Sequence, residues 1–314
     1  MFKKLSFVIP CYGSENTIKY VLEEIKNTVF GFVEYEIITV NDNSPDNVIF
    51  VLRRMAYEDT HIKIVDLSKN YGKHSAVMAG YKYVTGDIII NLDDDGQCPV
   101  EKVWDLVNLL DDNCDIAFAK YPVKRQSLLK NVGSTLNSLM TATMINKPKL
   151  LQLSNFSVVK RYIIDEIVKY DNPYPYIDGL LLRTTNRIKN VDMEERDRLN
   201  GKGNFTIRKS ISLWVNGFTA FSVKPLRISS FIGVICAIIG FIFGLVTVIR
   251  KLLIPLISVG WSSIVAIMLF IGGLIMLMLG MIGEYIGRIY ISINNSPQYV
   301  IRETINIDGT EEHE

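Results

Sequence analysis

Ile88-Ile89-Ile90-Asn91-Leu92 runs directly into Asp93-Asp94-Asp95-Gly96-Gln97. An apolar run bounded by turn residues reads as an interior strand of a parallel sheet, and such sheets bind ligands just beyond the carboxyl ends of their strands. Three adjacent carboxylates repel one another unless they share a cation. Mg²⁺ or Mn²⁺ takes oxygen ligands and is commonly held by one or two carboxylates plus substrate phosphates. The stretch therefore points to a metal-bridged phosphate substrate. The alternative is a solvated acidic turn that caps the next helix.

Two earlier runs end the same way. Leu5 to Pro10 leads into Cys11-Tyr12-Gly13-Ser14-Glu15, and Tyr35 to Val40 leads into Asn41-Asp42-Asn43-Ser44-Pro45-Asp46. In a parallel sheet all three clusters meet along one edge. A nucleotide needs acceptors for its base N–H groups and ribose hydroxyls, which Asp42 and Glu15 could supply. Its diphosphate needs cations or N–H groups, which Asp93, Asp95 and a metal could supply.

The elements that must position these clusters alternate between strand and helix patterns, as in an α/β sheet. Further strands are expected at Ile62 to Asp66, Asp87 to Leu92, Asp115 to Ala119 and Leu153 to Val159. Helices are expected at Glu15 to Thr28, Asn47 to Tyr57, Gly72 to Val84, Val100 to Leu110, Lys124 to Thr143 and Lys160 to Lys169. Asn172-Pro173-Tyr174-Pro175-Tyr176 reads as a rigid aromatic turn. Asn204 to Phe218 alternates apolar and basic residues at helical spacing and is expected to lie along lipid headgroups.

The chain has 314 residues and a formal net charge of +1, so bulk electrostatics names no partner. Without finger-type Cys/His spacing or an arginine-rich arm there is no case for nucleic acid. Cys11, Cys98, Cys114 and Cys236 are scattered and read as reduced thiols, with Cys98 a small filler residue beside the acidic turn. The hydrophobicity is concentrated late. The stretch 228–249 carries no charge and is long enough to cross about 30 Å of hydrocarbon; after Arg250-Lys251 a second uncharged stretch gives a span at about 263–283. Met1 to Leu5 runs straight into a strand pattern with no signal peptide, which places the large N-terminal part in the cytoplasm and returns the tail there. Arg250 and Lys251 then face the far side, against the usual charge bias. The expected organisation is a catalytic domain over 1–200, a juxtamembrane segment over 201–227, two transmembrane helices within 228–287 and a cytoplasmic tail over 288–314. The tail after Ser296 is polar and acidic and is expected to be frayed.

Several motifs together carry a resemblance. They are Val8-Ile9-Pro10-Cys11-Tyr12 with Glu15; Asp42-Asn43-Ser44-Pro45-Asp46; Asn70-Tyr71-Gly72-Lys73 with Ala76 and Gly80; and Leu92 to Pro99 with Glu101. Late in the chain, Arg198-Leu199-Asn200-Gly201-Lys202-Gly203-Asn204-Phe205 with Lys209, and Phe221 to Arg227, also fit. From about Phe7 to Arg288 the chain resembles family-2 glycosyltransferases of the polyprenyl-phosphate type, the group of bactoprenol glucosyltransferase, dolichyl-phosphate mannose synthase and undecaprenyl-phosphate aminoarabinose transferase. It departs from their pattern at Gly13, Asn41, Gly96, Gly203 and Phe205.

The resemblance implies a GT-A fold (Rossmann-like, with a mostly parallel sheet) followed by a two-helix transmembrane hairpin. It implies that Pro10, Tyr12, Glu15, Asp42, Ser44, Lys73, Asp93 and Asp94 line the nucleotide. Asp93, Asp95 and Gln97 hold Mg²⁺ or Mn²⁺, and Asp95, Asp93 and Asp178 serve catalysis, Asp178 near the sugar. Arg196, Arg198, Lys209 and Arg125 form a cationic site for the lipid phosphate. The implied reaction is an inverting transfer of a sugar from a nucleotide-sugar donor, UDP-linked in the bacterial subgroup, to undecaprenyl phosphate. The setting is the bacterial cytoplasmic membrane, in a homo-oligomer. Two other readings stand beside it: a polysaccharide-forming family-2 transferase, which usually has a larger membrane bundle and a Gln-x-x-Arg-Trp block absent here, and a non-catalytic membrane scaffold.

Overall fold

The apolar runs pair side by side. In this computed structural model the described residues are 2–121, 151–197, 224–253, 260–294 and 297–307. Among them, β1 (Lys4–Cys11), β2 (Glu34–Asn41), β3 (Ile62–Leu67), β4 (Ile88–Asn91), β5 (Ile116–Lys120), β6 (Ser157–Lys160), β7 (Ile188–Asp192) and β8 (Ile301–Ile305) form a sheet in the order β7-β5-β6-β4-β1-β2-β3-β8. β1 pairs in parallel with β2 and β4, and β2 in parallel with β3. β6 runs antiparallel to both β4 and β5, and β8 antiparallel to β3. The sheet is mostly parallel, as expected.

Successive side chains on a strand point to opposite faces, and both faces of the central strands are covered. Phe7, Ile9 and Cys11 pack with α1 (Ile18–Val29), α2 (Val48–Glu58) and α4 (Val103–Val107). Val8, Ile38 and Val40 pack with α3 (Lys73–Tyr81), α5 (Arg161–Ile167) and α6 (Ile177–Thr184). The heptad-like spacing of Ile18, Val21, Leu22 and Ile25 gives α1 its buried stripe. α3 lies close on the sheet: a Cβ at Gly80 would fall 2.7 Å from Val8 Cγ1 and 3.0 Å from Val40 Cγ2.

Some expectations are corrected. Val100 to Leu110 is not one helix but a 3₁₀ turn, Val100–Lys102, followed by the short α4. The strand expected from Leu153 begins only at Ser157. The tail is not frayed over 301–305. It returns to the sheet unit as β8, where main-chain pairing to β3 supplies the order that its composition did not suggest. The helices expected over 124–143 and 204–218 lie outside the described residues.

Two long helices, α7 (Lys224–Leu253) and α8 (Trp261–Ile293), form a second unit where two spans were expected. α7 runs on through Arg250 and Lys251 to Leu253. In α8 the stretch Phe270–Gly287 is long and apolar enough to cross a membrane, and in α7 the described apolar run is the shorter Phe231–Phe243. Large apolar side chains such as Phe231, Phe241, Met268, Phe270 and Met276 are exposed along both, a surface suited to lipid or to a partner helix.

Candidate functional site

The three polar clusters meet beyond the ends of β1, β2 and β4, and hydrogen bonds lock them together. Tyr12 N donates to Asp94 Oδ2 at 2.9 Å, and Thr17 Oγ1 to the Asp94 carbonyl at 2.6 Å. Gly13 N donates to Ser44 Oγ at 2.7 Å, and Ser44 Oγ to Asp46 Oδ1 at 2.5 Å. Glu15 N donates to Asp46 Oδ2 at 2.8 Å, while the Glu15 carboxylate accepts from Asn47 N at 3.2 Å, at the start of α2. Tyr12 leaves its ring exposed beside this junction.

Asp42 is 3% exposed and braces a second loop. Its Oδ1 accepts from Tyr71 N at 2.7 Å and its Oδ2 from Gly72 N at 2.8 Å. Burial raises its carboxyl above the ordinary carboxylate range, and the two backbone N–H groups work against that rise. Gly72 adopts φ +88°, in the left-handed region that glycine enters without strain, and so turns its N–H toward Asp42. The same turn delivers Lys73 at the head of α3.

Lys73 Nζ forms an ion pair with Asp93 Oδ1, and Asn155 Nδ2 donates to Asp93 Oδ2 at 2.6 Å. Both side chains line a cavity of about 40 Å³ together with Pro10, His74, Tyr81, Asn91, Ser154 and Asp178. That volume suits about one water molecule. Tyr81 Oη donates to Asn91 Oδ1 at 2.9 Å, and Asn91 Nδ2 to Ser157 Oγ at 3.1 Å, which fixes the cavity floor. Burial, and then the Lys73 charge, hold the His74 imidazole down at about 4. It is neutral at neutral pH, with its ring edge-on to Tyr176 at 5.3 Å between centroids. Asp178 enters from the first turn of α6. A wider, shallow groove along Asn27, Thr28, Phe32, Glu101 and Trp104 lies apart from these groups.

Asp94 is enclosed. Burial first, and then the Asp93 and Asp95 charges, push its carboxyl up to about 6 against hydrogen bonds that include Tyr12 N. Gln97 N donates to Asp95 Oδ1 at 3.1 Å, and Gln97 Nε2 to the Arg196 carbonyl at 3.2 Å. Arg196 was expected at the lipid phosphate. Here its guanidinium is engaged by Glu24, at 2.7 Å, and by Glu101. Arg125, Arg198 and Lys209 lie outside the described residues. Cys98 is buried, and burial pushes its thiol up, which fits a filler rather than a nucleophile.

Asp93, Asp95 and Gln97 offer hard oxygen donors of the kind Mg²⁺ and Mn²⁺ take, and the Lys73 ammonium already marks the place as one that attracts positive charge. Among the described residues no three His, Cys, Asp or Glu side chains are grouped to hold an ion by themselves. An ion held here would need further ligands, of the kind substrate phosphates commonly supply.

His74, Asn155 and the Tyr81–Asn91–Ser157 chain were not singled out from the sequence. Asn155 had a signal in the polar pair Ser154-Asn155 ahead of an apolar run. That pair reaches this edge because β6 is antiparallel, with Asn91 paired to Ser157.

The sequence profile described as Glycosyl transferase family 2 matches residues 6–169, and that described as GtrB C-terminal hairpin matches residues 224–289. The protein named uncharacterized glycosyltransferase YkcC of Bacillus subtilis (strain 168) is 29% identical over 306 residues, covering 97% of this chain and 95% of its own. The undecaprenyl-phosphate 4-deoxy-4-formamido-L-arabinose transferase of Proteus mirabilis (strain HI4320) is 30% identical over 312 residues, covering 97% of this chain and 94% of its own. Among solved structures, glucosyl-3-phosphoglycerate synthase from Mycobacterium tuberculosis, in complex with Mn²⁺, UDP and phosphoglyceric acid, aligns with TM-score 0.49 and 21% identity over 64% of this chain and 72% of that one.

Proposed function

Because the chain belongs to glycosyl transferase family 2, we propose that its GT-A domain moves a sugar from a nucleoside-diphosphate donor, UDP-linked, to undecaprenyl phosphate with inversion at the anomeric carbon. The single observation that carries this reading is the junction of three nucleotide-facing loops with Asp93, Lys73, Asn155 and Asp178 around one cavity. The hairpin match and the name of the Proteus relative support a lipid-phosphate acceptor.

Tyr12, Glu15, Asp42 and Ser44 line the nucleoside end. Lys73 leaves Asp93 to meet the diphosphate, and Asn155 keeps Asp93 oriented as it does so. Asp178 and Asn155 border the sugar. The acceptor's phosphate oxygen attacks the anomeric carbon from the face opposite the diphosphate; the bond from that carbon to the diphosphate oxygen breaks, and its electron pair leaves on the nucleoside diphosphate. A phosphate monoester has its second pKa near 6, so the acceptor is already ionised at neutral pH. It needs orientation and charge neutralisation more than a strong base. A divalent ion held by Asp93 and Asp95, with Gln97, supplies charge neutralisation on the leaving group when bound.

Arg198, Lys209 and Arg125 supply cations for the lipid phosphate, joined by Arg196 once it leaves Glu24 and Glu101. α7 and α8 anchor the protein in the bacterial cytoplasmic membrane as a hairpin, with the sheet unit on the cytoplasmic side and several copies assembled through the membrane part. The test is nucleoside-diphosphate release from a panel of radiolabelled sugar nucleotides, with and without undecaprenyl phosphate and Mn²⁺. Release that requires both additions and yields a lipid-linked sugar is expected. A polymeric product points instead to a polysaccharide-forming enzyme, and no release with any donor points to a scaffold.

A further inference from the structure

We propose that Arg302, on the strand that follows α8, is a positioning residue of the donor site, so that the C-terminal segment completes the nucleotide end of a domain whose family profile stops at residue 169. The proposal rests on the nucleotide-sugar reading above.

β8 is antiparallel to β3, so its first residues, and not its last, reach the edge where the loops converge. There Arg302 Nη2 donates to Asn43 Oδ1 at 3.1 Å and to the Ser68 carbonyl at 2.8 Å, while Nη1 lies 3.3 Å from Asp66 Oδ2. Asp66 is 2% exposed, and its other oxygen accepts from Asn41 Nδ2 at 2.7 Å. Asn41 Oδ1 in turn accepts from Ser44 N at 3.2 Å, and Ser44 Oγ accepts from Gly13 N at 2.7 Å. One guanidinium therefore grips the residues on both sides of Asp42: Asn43 directly and Asn41 through Asp66.

Asn43 makes this grip consequential. It adopts φ +46°, a left-handed conformation in which asparagine is tolerated but not favoured over ordinary backbone. Its side-chain oxygen is held there by Arg302. Removing the guanidinium frees that turn, and it leaves the Asp66 carboxylate buried with the Asn41 amide as its described side-chain partner. Asp42 sits between the two released residues while its own oxygens hold Tyr71 and Gly72. The disturbance reaches the nucleoside end of the site and not the Asp93 cavity. The neighbouring residue provides an internal control. Glu303 on the same strand pairs with Arg53, each 43% exposed, and ties β8 to the surface of α2 without touching the turn.

The experiment uses the full chain in lipid nanodiscs, with UDP and GDP as binding probes in the presence of Mn²⁺. Arg302→Ala is expected to weaken binding of the preferred nucleotide and to raise donor KM by about tenfold or more, leaving the KM for undecaprenyl phosphate and kcat within about threefold. Arg302→Lys, which keeps the charge near Asp66 and loses the fork, falls between. Glu303→Gln binds as wild type does. Hydrogen exchange on the nucleotide-free protein is expected to quicken at the amides of residues 42–44 in Arg302→Ala and not in Glu303→Gln. Wild-type donor binding or unchanged exchange at 42–44 in Arg302→Ala overturns the proposal, as does an equal loss in both variants, which marks simple docking of the strand. If wild type binds neither nucleotide, the functional reading fails first and this proposal falls with it.

Discussion

Replacing Asp42 by asparagine separates two roles that a nucleotide-facing carboxylate can have. The side chain is nearly the same shape as the one it replaces, which is 3% exposed, but only one of its terminal atoms can still accept. One of the two backbone donors, Tyr71 N or Gly72 N, then faces an amide N–H instead of a carboxylate oxygen. A hydrogen bond to a charged group contributes roughly 1.5–3 kcal/mol, and a buried donor without a partner costs about 1–3 kcal/mol. Relief from burying the Asp42 charge, evident in its raised carboxyl, offsets part of this. A net loss of about 2 kcal/mol remains, close to a 30-fold shift in the opening of the Tyr71–Gly72 loop. Hydrogen exchange read by mass spectrometry on nucleotide-free protein measures it directly. Asp42→Asn is expected to speed exchange at those two amides by about 30-fold while the amides of β1 and β2 keep their protection. Wild-type exchange at Tyr71 and Gly72 would refute the bracing role, and acceleration spread over the whole sheet would show a general loss of stability instead.

Three further outcomes follow from the geometry. Asp95→Ala is expected to cut turnover by about a thousandfold and Asp178→Asn by less than tenfold in nucleoside-diphosphate release at saturating donor; abolition by Asp178→Asn with donor binding intact would require a general base. Gly80→Ala places a methyl group 2.7 Å from Val8 Cγ1, and overpacking of this kind costs about 1–3 kcal/mol, read as a lowered Tm of the sheet unit. Although burial works to raise it, hydrogen bonds from Lys63, Ser6 and Thr85 bring the Glu36 carboxyl from 4.5 down to about 2. A depressed acid stabilises the fold above its unfolded pKa and loses that contribution as the pH falls, here between 4.5 and about 2. The difference corresponds to about 3 kcal/mol, and Glu36→Gln should flatten the acid limb of stability in that window; an unchanged limb refutes the assignment.

The parallel half of the site was legible because three apolar runs each ended in a polar cluster, and parallel pairing brings strand ends to one edge. The same logic hid the rest. It searches beyond the carboxyl end of each strand, whereas β6 and β8 run the other way and deliver Asn155 and Arg302 from their beginnings. The short edge strands β7 and β8 lack long apolar runs, since they are stabilised by main-chain pairing more than by burial, and composition alone marked the tail as disordered. Lys73 was placed at the nucleotide by resemblance, but that its resting partner is Asp93 depends on the turn at Gly72, whose left-handed backbone no periodicity reveals. Arg196 was assigned to the lipid phosphate by resemblance, and its pairing with Glu24 and Glu101 was not legible because a sequence does not show which carboxylates fold against a cation.

The order in which the chain leaves the ribosome gives the last strand an added meaning. β3 is made early, yet the neighbour on its outer side, β8, emerges only after all of α7 and α8. Throughout that interval the nascent sheet carries an open hydrogen-bonding edge, the kind of surface that recruits stray strands. That edge closes only after both long apolar helices have been made, so a product truncated before β8 keeps an unpaired rim.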